Sequence, residues 1–235
     1  MEELVSKKGC LICGKPILYY QTARESKCCG CGRVFMTNSE CEDGHFVCDA
    51  CHTSESMPVI YYYSIGTDSR DPFEIACEIM RHPAIHMHGP ENHVLIGSSL
   101  LAAWFNSGGE IDLPEALSIM RERGSQLPGG ICGLWGNCGA AVSAGIFLSI
   151  VTEGSPLNAQ SRKLSNLLTS ESLKKTSEYS GARCCKRDGF LAIQTTVDFT
   201  AEYMGVQMKL PDKLVCGFNE RNNECLKEAC PFYLR

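Results

Sequence analysis

Apolar residues recur every three or four positions along most of the chain after residue 65, and this spacing predicts amphipathic helices. Asp71 followed by Pro72 is typical of a helix start, and Gly205 of a helix end. The predicted helices cover about residues 71–81, 90–105, 113–124, 138–151, 161–179 and 188–203. The run MPVIYYYSI at 57–65 is β-branched and aromatic instead, which favours a short strand or an extended linker.

The first 54 residues follow a different pattern, with few aliphatic side chains and eight of the 16 cysteines. A segment of this composition cannot bury an apolar core, so we expect bound metal to hold it together. The sequence therefore predicts an α+β protein of two domains. Residues 1–54 form a small, β-rich zinc-binding module of zinc-ribbon or treble-clef character, and residues 55–235 form a mostly α-helical domain.

The metal-ligand residues of the predicted module come in pairs separated by two or three residues, a spacing that directs both side chains at one ion. They are Cys10, Cys13, Cys28, Cys31, Cys41, His45, Cys48 and Cys51. Eight ligands make two four-coordinate sites, for which zinc is the expected metal, in a structural role. The simplest arrangement nests the outer two pairs around the inner two, and a crossed arrangement is equally allowed. Cys29 is an alternative to Cys28, and His52 is an alternative to one of the cysteines.

A second group of cysteines lies near helix starts and in the tail: Cys132, Cys138, Cys184, Cys185, Cys216, Cys225 and Cys230. We interpret these residues as the cofactor site, with four of them holding an iron–sulfur cluster and others serving as a redox or sulfur-transfer dithiol. Cys230 precedes Pro231, as the last cysteine does in ferredoxin-type ligation. A metal-free dithiol, a zinc site and simple packing remain alternatives. Small residues after Cys138 leave room for a neighbouring helix or a bound group.

Three of these cysteines are candidate catalytic thiols. Cys138 begins a predicted helix, where the dipole favours a thiolate. Cys184 and Cys185 lie among three cations, Arg183, Lys186 and Arg187. We expect lowered thiol pKa values at all three positions, and we expect the cations to stabilise a thiolate or an anionic substrate.

Residues 82–93 contain four of the six histidines. If the segment is extended, His86 and His88 share one face, and Glu91 and His93 follow on the first turn of the next helix. These four residues are predicted to meet at one point beside Cys138, suited to metal binding or to general acid–base catalysis. The alternative is a loop whose histidines only satisfy backbone groups.

Charge and hydropathy narrow the possible partners. The net charge of −5 argues against nucleic acid or an anionic membrane as a partner. The longest apolar run, 140–151, is too short to span a bilayer, and the stretch MEELVSKKG does not resemble a signal peptide. We therefore expect a cytoplasmic protein, in which dense cysteine indicates metal binding or catalysis rather than disulfides.

Three stretches together resemble a known family: HMHGPENHVLIGSSLLAAW, GICGLWGNCGAA, and RCCKRDGFLAI with the terminal CPFY. The chain resembles an uncharacterised cysteine-rich family of anaerobic bacteria and archaea, whose members are sometimes joined to methyltransferase or radical S-adenosylmethionine modules. The Cys-Gly-Ala-Ala helix is more loosely similar to putative redox proteins with a C-GCA-x-x-G-C-C signature. The association with anaerobes implies an oxygen-sensitive cluster.

These patterns predict a metal- and thiol-dependent protein, an oxidoreductase or sulfurtransferase that acts on a small molecule with a sulfur or electron donor. The alternative is a non-catalytic zinc adaptor that docks on a methyltransferase or radical enzyme. Methyl transfer by the chain itself is disfavoured, because no Gly-rich turn joins a strand to a helix.

Overall fold

The computed structural model describes residues 9–234. The fold is α+β, as predicted, with a small sheet followed by helices. Strands β1, Ile17–Lys27, and β2, Val34–Cys41, form a two-stranded antiparallel sheet whose register is irregular between Tyr19 and Arg24. Most of the stretch used to argue against a signal peptide lies outside the described residues.

The remaining elements are helical. They are α1 (Asp49–His52), α2 (Ser56–Gly66), α3 (Pro72–Arg81), α4 (Glu91–Asn106), α5 (Leu113–Gly124), α6 (Ile131–Leu134), α7 (Gly139–Val151), α8 (Ala159–Ser177), α9 (Cys185–Met204) and two 3₁₀ turns, Asn219–Arg221 and Lys227–Ala229. The six predicted helices correspond to α3, α4, α5, α7, α8 and α9. Helix α3 begins at its predicted cap, where the Asp71 carboxylate accepts N–H bonds from Phe73 and Glu74. Helix α9 ends at Gly205 in the left-handed conformation, as predicted.

The predicted strand at 57–65 is wrong, because these residues belong to α2. Pro58 lies in the first turn of that helix, where a missing N–H costs nothing. Met57 and Ile60 are buried in the core, and α2 packs on α4. Tertiary packing therefore overrides the β-propensity of the Val-Ile-Tyr run.

Helix α4 is the centre of the helical part. Its residues from Glu91 to Trp104 are all buried, and α2, α3, α5, α7 and α9 pack around it. Helices α4 and α7 approach closely where the Gly97 N–H donates to Ser143 Oγ, 2.9 Å away. The space beside the small residues of α7 is thus filled by another helix, one of the two predicted occupants.

The apolar core and the cysteine-rich segment are separate. The main cluster of buried apolar side chains begins at Met57 and extends to Phe232. Within the described part of the chain, residues 9–52 contribute nothing to that cluster. The chain therefore contains a cysteine-rich segment, residues 9–52, and a helical part, residues 56–234. The predicted domain boundary at residue 54 stays a prediction.

The helices were also compared with the length and hydropathy that a bilayer demands. Within residues 9–234, none combines enough length with enough apolar character to traverse one.

Candidate metal centres

The β-hairpin places a group of four metal-ligand residues at each of its ends. At the open end, Ile17 of β1 pairs with Cys41 of β2, so the turn before β1 lies beside the turn after β2. At the closed end, the loop between the strands lies beside the start of α1, where Cys28 pairs with Phe46. The two groups are Cys10, Cys13, Cys41 and His45, and Cys28, Cys31, Cys48 and Cys51.

The geometry within each group fits a single ion. The sulfurs of Cys13 and Cys41 are 3.8 Å apart, and those of Cys31 and Cys48 are 3.9 Å apart. A tetrahedral ion with zinc–sulfur bonds of about 2.3 Å separates its sulfurs by about 3.8 Å. Both groups could therefore hold metal ions, and all eight predicted ligands belong to them.

The ligand pairing is the crossed one, and the nested arrangement is wrong. An antiparallel hairpin joins the first pair to the third and leaves the second beside the fourth. Cys29 is exposed and belongs to neither group, so it does not replace Cys28. His52 also stays outside both groups of four.

Backbone N–H groups stabilise the thiolate form of the Cys28 side chain, which is the form that binds metal. Burial raises the pKa of this thiol, but hydrogen bonds from the backbone N–H groups of Cys48, Cys31 and Gly30 outweigh burial and lower it to about 6. Cys28 is therefore largely a thiolate at neutral pH, which is the form that binds metal.

A third group of metal-ligand residues lies where the cysteine-rich segment meets α4. It consists of His52, His86 and Glu91, whose ligand atoms all lie within 4.8 Å of one another. His86 Nδ1 is 3.0 Å from Glu91 Oε1, and His52 Nδ1 is 3.2 Å from Glu91 Oε2. Burial raises the pKa of the Glu91 carboxyl, but the two imidazoles outweigh burial and hold it well below its ordinary value. Glu91 is therefore ionised.

The predicted meeting of four residues at one point is only half right. His86 and Glu91 come together, but His88 and His93 point elsewhere. His88 Nε2 is 3.2 Å from Asn222 Oδ1 in the tail, and His93 Nδ1 donates to the Leu127 carbonyl at 3.0 Å. The segment is bent rather than extended, so the alternation that would align His86 with His88 does not apply.

The His93 ring nevertheless packs on Gly139, the residue that follows Cys138. Burial lowers the pKa of His93, so the imidazole is neutral. A neutral imidazole packed between helices and bonded to a carbonyl is typical of a structural histidine.

The second group of cysteines divides into two sets. Cys184, at the start of α9, lines a small cavity with the three cysteines of the tail, Cys216, Cys225 and Cys230. The other set, the Cys138 set, consists of Cys132, Cys138 and Cys185. Cys138 lies close enough to each of the other two for an electrostatic interaction between their thiolate forms. Within residues 9–234, no three of these seven sulfurs lie within 4.8 Å of one another.

The cavity-lining cysteines accept backbone hydrogen bonds of a recurrent kind. The sulfurs of Cys216 and Cys225 each accept the N–H of the residue two positions later, at 3.4 Å in both cases. Cys184 caps α9 by accepting the Arg187 N–H, also at 3.4 Å. The same i+2 bond occurs at Cys10 and Cys28 in the cysteine-rich segment. The tail therefore shares local backbone geometry with the two groups of four metal-ligand residues at the ends of the β-hairpin, called the two tetrahedral groups below.

The expected lowering of the thiol pKa values is wrong. Burial raises the pKa of Cys138 to about 11, despite N–H groups from the start of α7. Burial also raises the pKa of Cys184, and that of Cys185 to about 12. Desolvation therefore exceeds the helix dipole and the nearby cations. Without metal, these thiols are protonated and weakly nucleophilic at neutral pH.

The three cations near Cys184 and Cys185 have internal partners. Arg187 is buried and pairs with Asp188 at 2.9 Å. The buried Lys186 ammonium donates to the His86 carbonyl and to Asn92 Oδ1, at 2.8 and 2.9 Å. Burial lowers the pKa of Lys186 to about 8. Arg183 lies over the Tyr19 ring, 5.4 Å from its centroid. Lys186 and Arg187 therefore stabilise the fold and do not form an exposed anion-binding site.

The site residue that sequence reasoning misplaced is His52. It follows Cys51 directly, so the sequence suggests it as an alternative zinc ligand. Because α1 ends at His52 and carries it toward α4, the imidazole reaches Glu91 instead. The available signal was that two ligand-type side chains, Cys29 and His52, are surplus to a set of eight that is already complete.

Comparison with protein families gives one match. The model described as "Family of unknown function (DUF5714)" covers residues 60–233. No curated protein and no solved structure matches the chain.

Proposed function

Since the chain belongs to the DUF5714 family, whose function is unknown, we propose from its own chemistry that it is an iron–sulfur protein of redox or sulfur-transfer metabolism. Cys184, Cys216, Cys225 and Cys230 hold the cluster. The observation that carries this proposal is the cavity that these four cysteines line, although one of them lies at α9 and three lie in the tail. The proposal thus concerns the helical part and is independent of the two tetrahedral groups in residues 9–52.

The backbone around the cavity supports ligation. N–H bonds to cysteine sulfur stabilise the thiolate and tune the potential of a cluster. Such bonds reach Cys184, Cys216 and Cys225 from Arg187, Phe218 and Lys227, respectively.

The spacing of the sulfurs favours a cluster over a single ion. One zinc ion draws its four sulfurs to about 3.8 Å from one another. Within the described residues, no three sulfurs of the second cysteine group satisfy even a 4.8 Å limit. A cluster places several irons between its ligands, so it suits the wider spacing. Pro231 after Cys230 agrees with ferredoxin-type ligation.

The remaining thiols form a second set that takes part in the proposed chemistry. These thiols lie outside the cavity: Cys132 is in α6, Cys138 directly precedes α7, and Cys185 begins α9, which packs against α7. In this scheme the substrate oxidises two thiols of the Cys138 set to a disulfide, and the cluster passes two electrons from a donor protein or small molecule to that disulfide, which takes up two protons and returns to two thiols.

The test is the metal content of protein purified without oxygen. Once a weak chelator has removed loosely held metal, we expect about two zinc, about four iron and about four acid-labile sulfides per chain, with a brown colour. Cys225→Ser should lose most of the iron and sulfide and keep the zinc. Cys132→Ser is the matched control, because Cys132 belongs to the second cysteine group but does not line the cavity, and it should keep the iron.

Two results would overturn the proposal. Two zinc with no iron after anaerobic purification and cluster reconstitution would remove the cluster and favour the zinc-adaptor role. Equal iron loss in Cys132→Ser and Cys225→Ser would show that the ligand set is wrong.

A further inference from the structure

We propose that His52, His86 and Glu91 bind a divalent transition-metal ion, Zn²⁺ or Fe²⁺, at the junction between the cysteine-rich segment and α4. This site goes beyond the proposed cluster and shares no ligand with it. His52 ends α1, His86 lies in the loop before α4, and Glu91 is the first residue of α4. Three separate elements therefore direct ligand-type side chains at one point.

The distances fit coordination. Ligand atoms about 2.1 Å from one ion are about 3.0–3.4 Å apart at octahedral to tetrahedral angles. His86 Nδ1 and His52 Nδ1 lie 3.0 and 3.2 Å from the two oxygens of Glu91. The two imidazole rings face the carboxylate from adjacent positions, with their centroids 4.4 Å apart.

Two of these polar atoms are buried without a hydrogen bond. Glu91 Oε2 and His52 Nδ1 have no partner of acceptable hydrogen-bond geometry, although they face each other. The Glu91 side chain is 0% exposed, so water does not satisfy its oxygen. An unsatisfied buried carboxylate oxygen is costly, and a bound cation would supply the missing partner to both atoms.

The surrounding residues fix the proposed ligands in place. The His86 N–H donates to Glu91 Oε1 at 3.0 Å, and Lys186 donates to the His86 carbonyl. At Gly89, any side chain would overlap both the Glu91 carboxylate and the His52 ring. The position of Gly89 is not a left-handed one, so space, rather than backbone conformation, calls for glycine there. Such support is typical of residues that orient metal ligands.

The ligand set leaves coordination positions open. Two imidazoles and one carboxylate occur at catalytic zinc and at non-haem iron, where water or an oxygen-donor substrate completes the shell. The side chains of His52 and His86 are 17% and 22% exposed, so the group lies close to the protein surface. The ligand class is therefore a small molecule that coordinates through oxygen.

The test is a metal titration of the intact protein, with the two tetrahedral groups already filled with zinc and loosely held metal removed by a weak chelator. Titration calorimetry under anaerobic conditions uses Zn²⁺ alone and, separately, Fe²⁺ alone. We expect one further equivalent to bind, and the tighter of the two ions identifies the metal. Glu91→Gln and His52→Ala should each weaken that step at least about 100-fold.

His82→Ala is the matched control, because His82 lies in the same loop, is exposed and belongs to no ligand group; it should bind like the wild type. If Glu91→Gln fails to fold, His52→Ala still tests the site, because His52 lies outside the apolar core. Absence of the further equivalent in the wild type would overturn the site and leave a His–Glu–His group without metal. Unchanged binding in folded Glu91→Gln or His52→Ala would do the same.

Discussion

The cysteines at residues 10–51 and those at residues 184–230 share a local backbone motif but differ in spacing. In both regions a cysteine sulfur accepts the N–H of the residue two positions later. In the first region sulfurs of different turns approach to 3.8 and 3.9 Å, whereas in the second no three lie within 4.8 Å among the described residues. The turn makes a cysteine a good ligand, and the scaffold that holds the turns sets how closely the sulfurs of different turns approach.

The two regions also differ in what stabilises them. The cysteine-rich segment lies outside the main apolar core, whereas the helical part is built around the buried helix α4. Metal should therefore control the folding of the first region, and side-chain packing that of the second. Four perturbations test this contrast.

Metal removal should have the largest effect. A strong chelator at neutral pH should unfold the cysteine-rich segment and leave the helices folded, because structural zinc contributes about 10–16 kcal/mol in small zinc domains. Amide chemical shifts report both regions in one spectrum. Unchanged shifts for residues 9–52 after verified zinc loss would contradict the prediction.

A single ligand substitution should remove one ion. Cys28→Ser should lower the zinc content from about two to about one per chain, because the hydroxyl is a poor zinc ligand. Cys29→Ser, at the exposed neighbouring position, should keep both ions. Elemental analysis separates the two variants, and equal zinc loss would mean that Cys29 also ligates.

A core substitution should act only on the helical part. Phe147 of α7 is fully buried against Trp104, with ring centroids 5.8 Å apart. Phe147→Ala should lower the free energy of unfolding by about 3–5 kcal/mol in a denaturant titration. Leu157→Ala, at a residue that is 95% exposed, serves as the control. Zinc content should not change in either variant, and zinc loss in Phe147→Ala would show that the two regions fold as one.

The contact between the regions should give the smallest effect. Asp49 of α1 accepts the Gly129 N–H at 2.9 Å, and Asp49→Ala removes that bond at a cost of about 1 kcal/mol. Hydrogen exchange at Gly129 should quicken, while Asp43→Ala, whose partner is Lys15 within the segment, should leave it unchanged. Equal exchange in both variants would mean that this bond contributes nothing to docking.

Periodicity and spacing predicted much of this molecule. The helix start at Asp71 could be predicted because capping is local, and the ligand set of the cysteine-rich segment could be predicted because a tight turn is local too. The choice between nested and crossed pairing depends on strand register, here Ile17 with Cys41, which spacing does not encode.

The errors share one physical cause, since each depended on the tertiary surroundings of a residue. The run at 57–65 is helical because α2 packs on α4. Cys138 and Cys185 have raised pKa values because burial outweighs the helix dipole and the nearby charges. The neighbouring sequence reveals the dipole and the charges but not the burial. His52 reaches Glu91 only because α1 ends beside α4, a contact between residues 39 positions apart that no local pattern contains.

X-ray absorption at the zinc and iron edges of one anaerobic sample tests the contrast between the two regions most directly. The account predicts zinc surrounded by sulfur and nitrogen with no metal neighbour, and iron surrounded by sulfur with iron neighbours. A sample that contains zinc in both regions and no iron–iron scattering would contradict it.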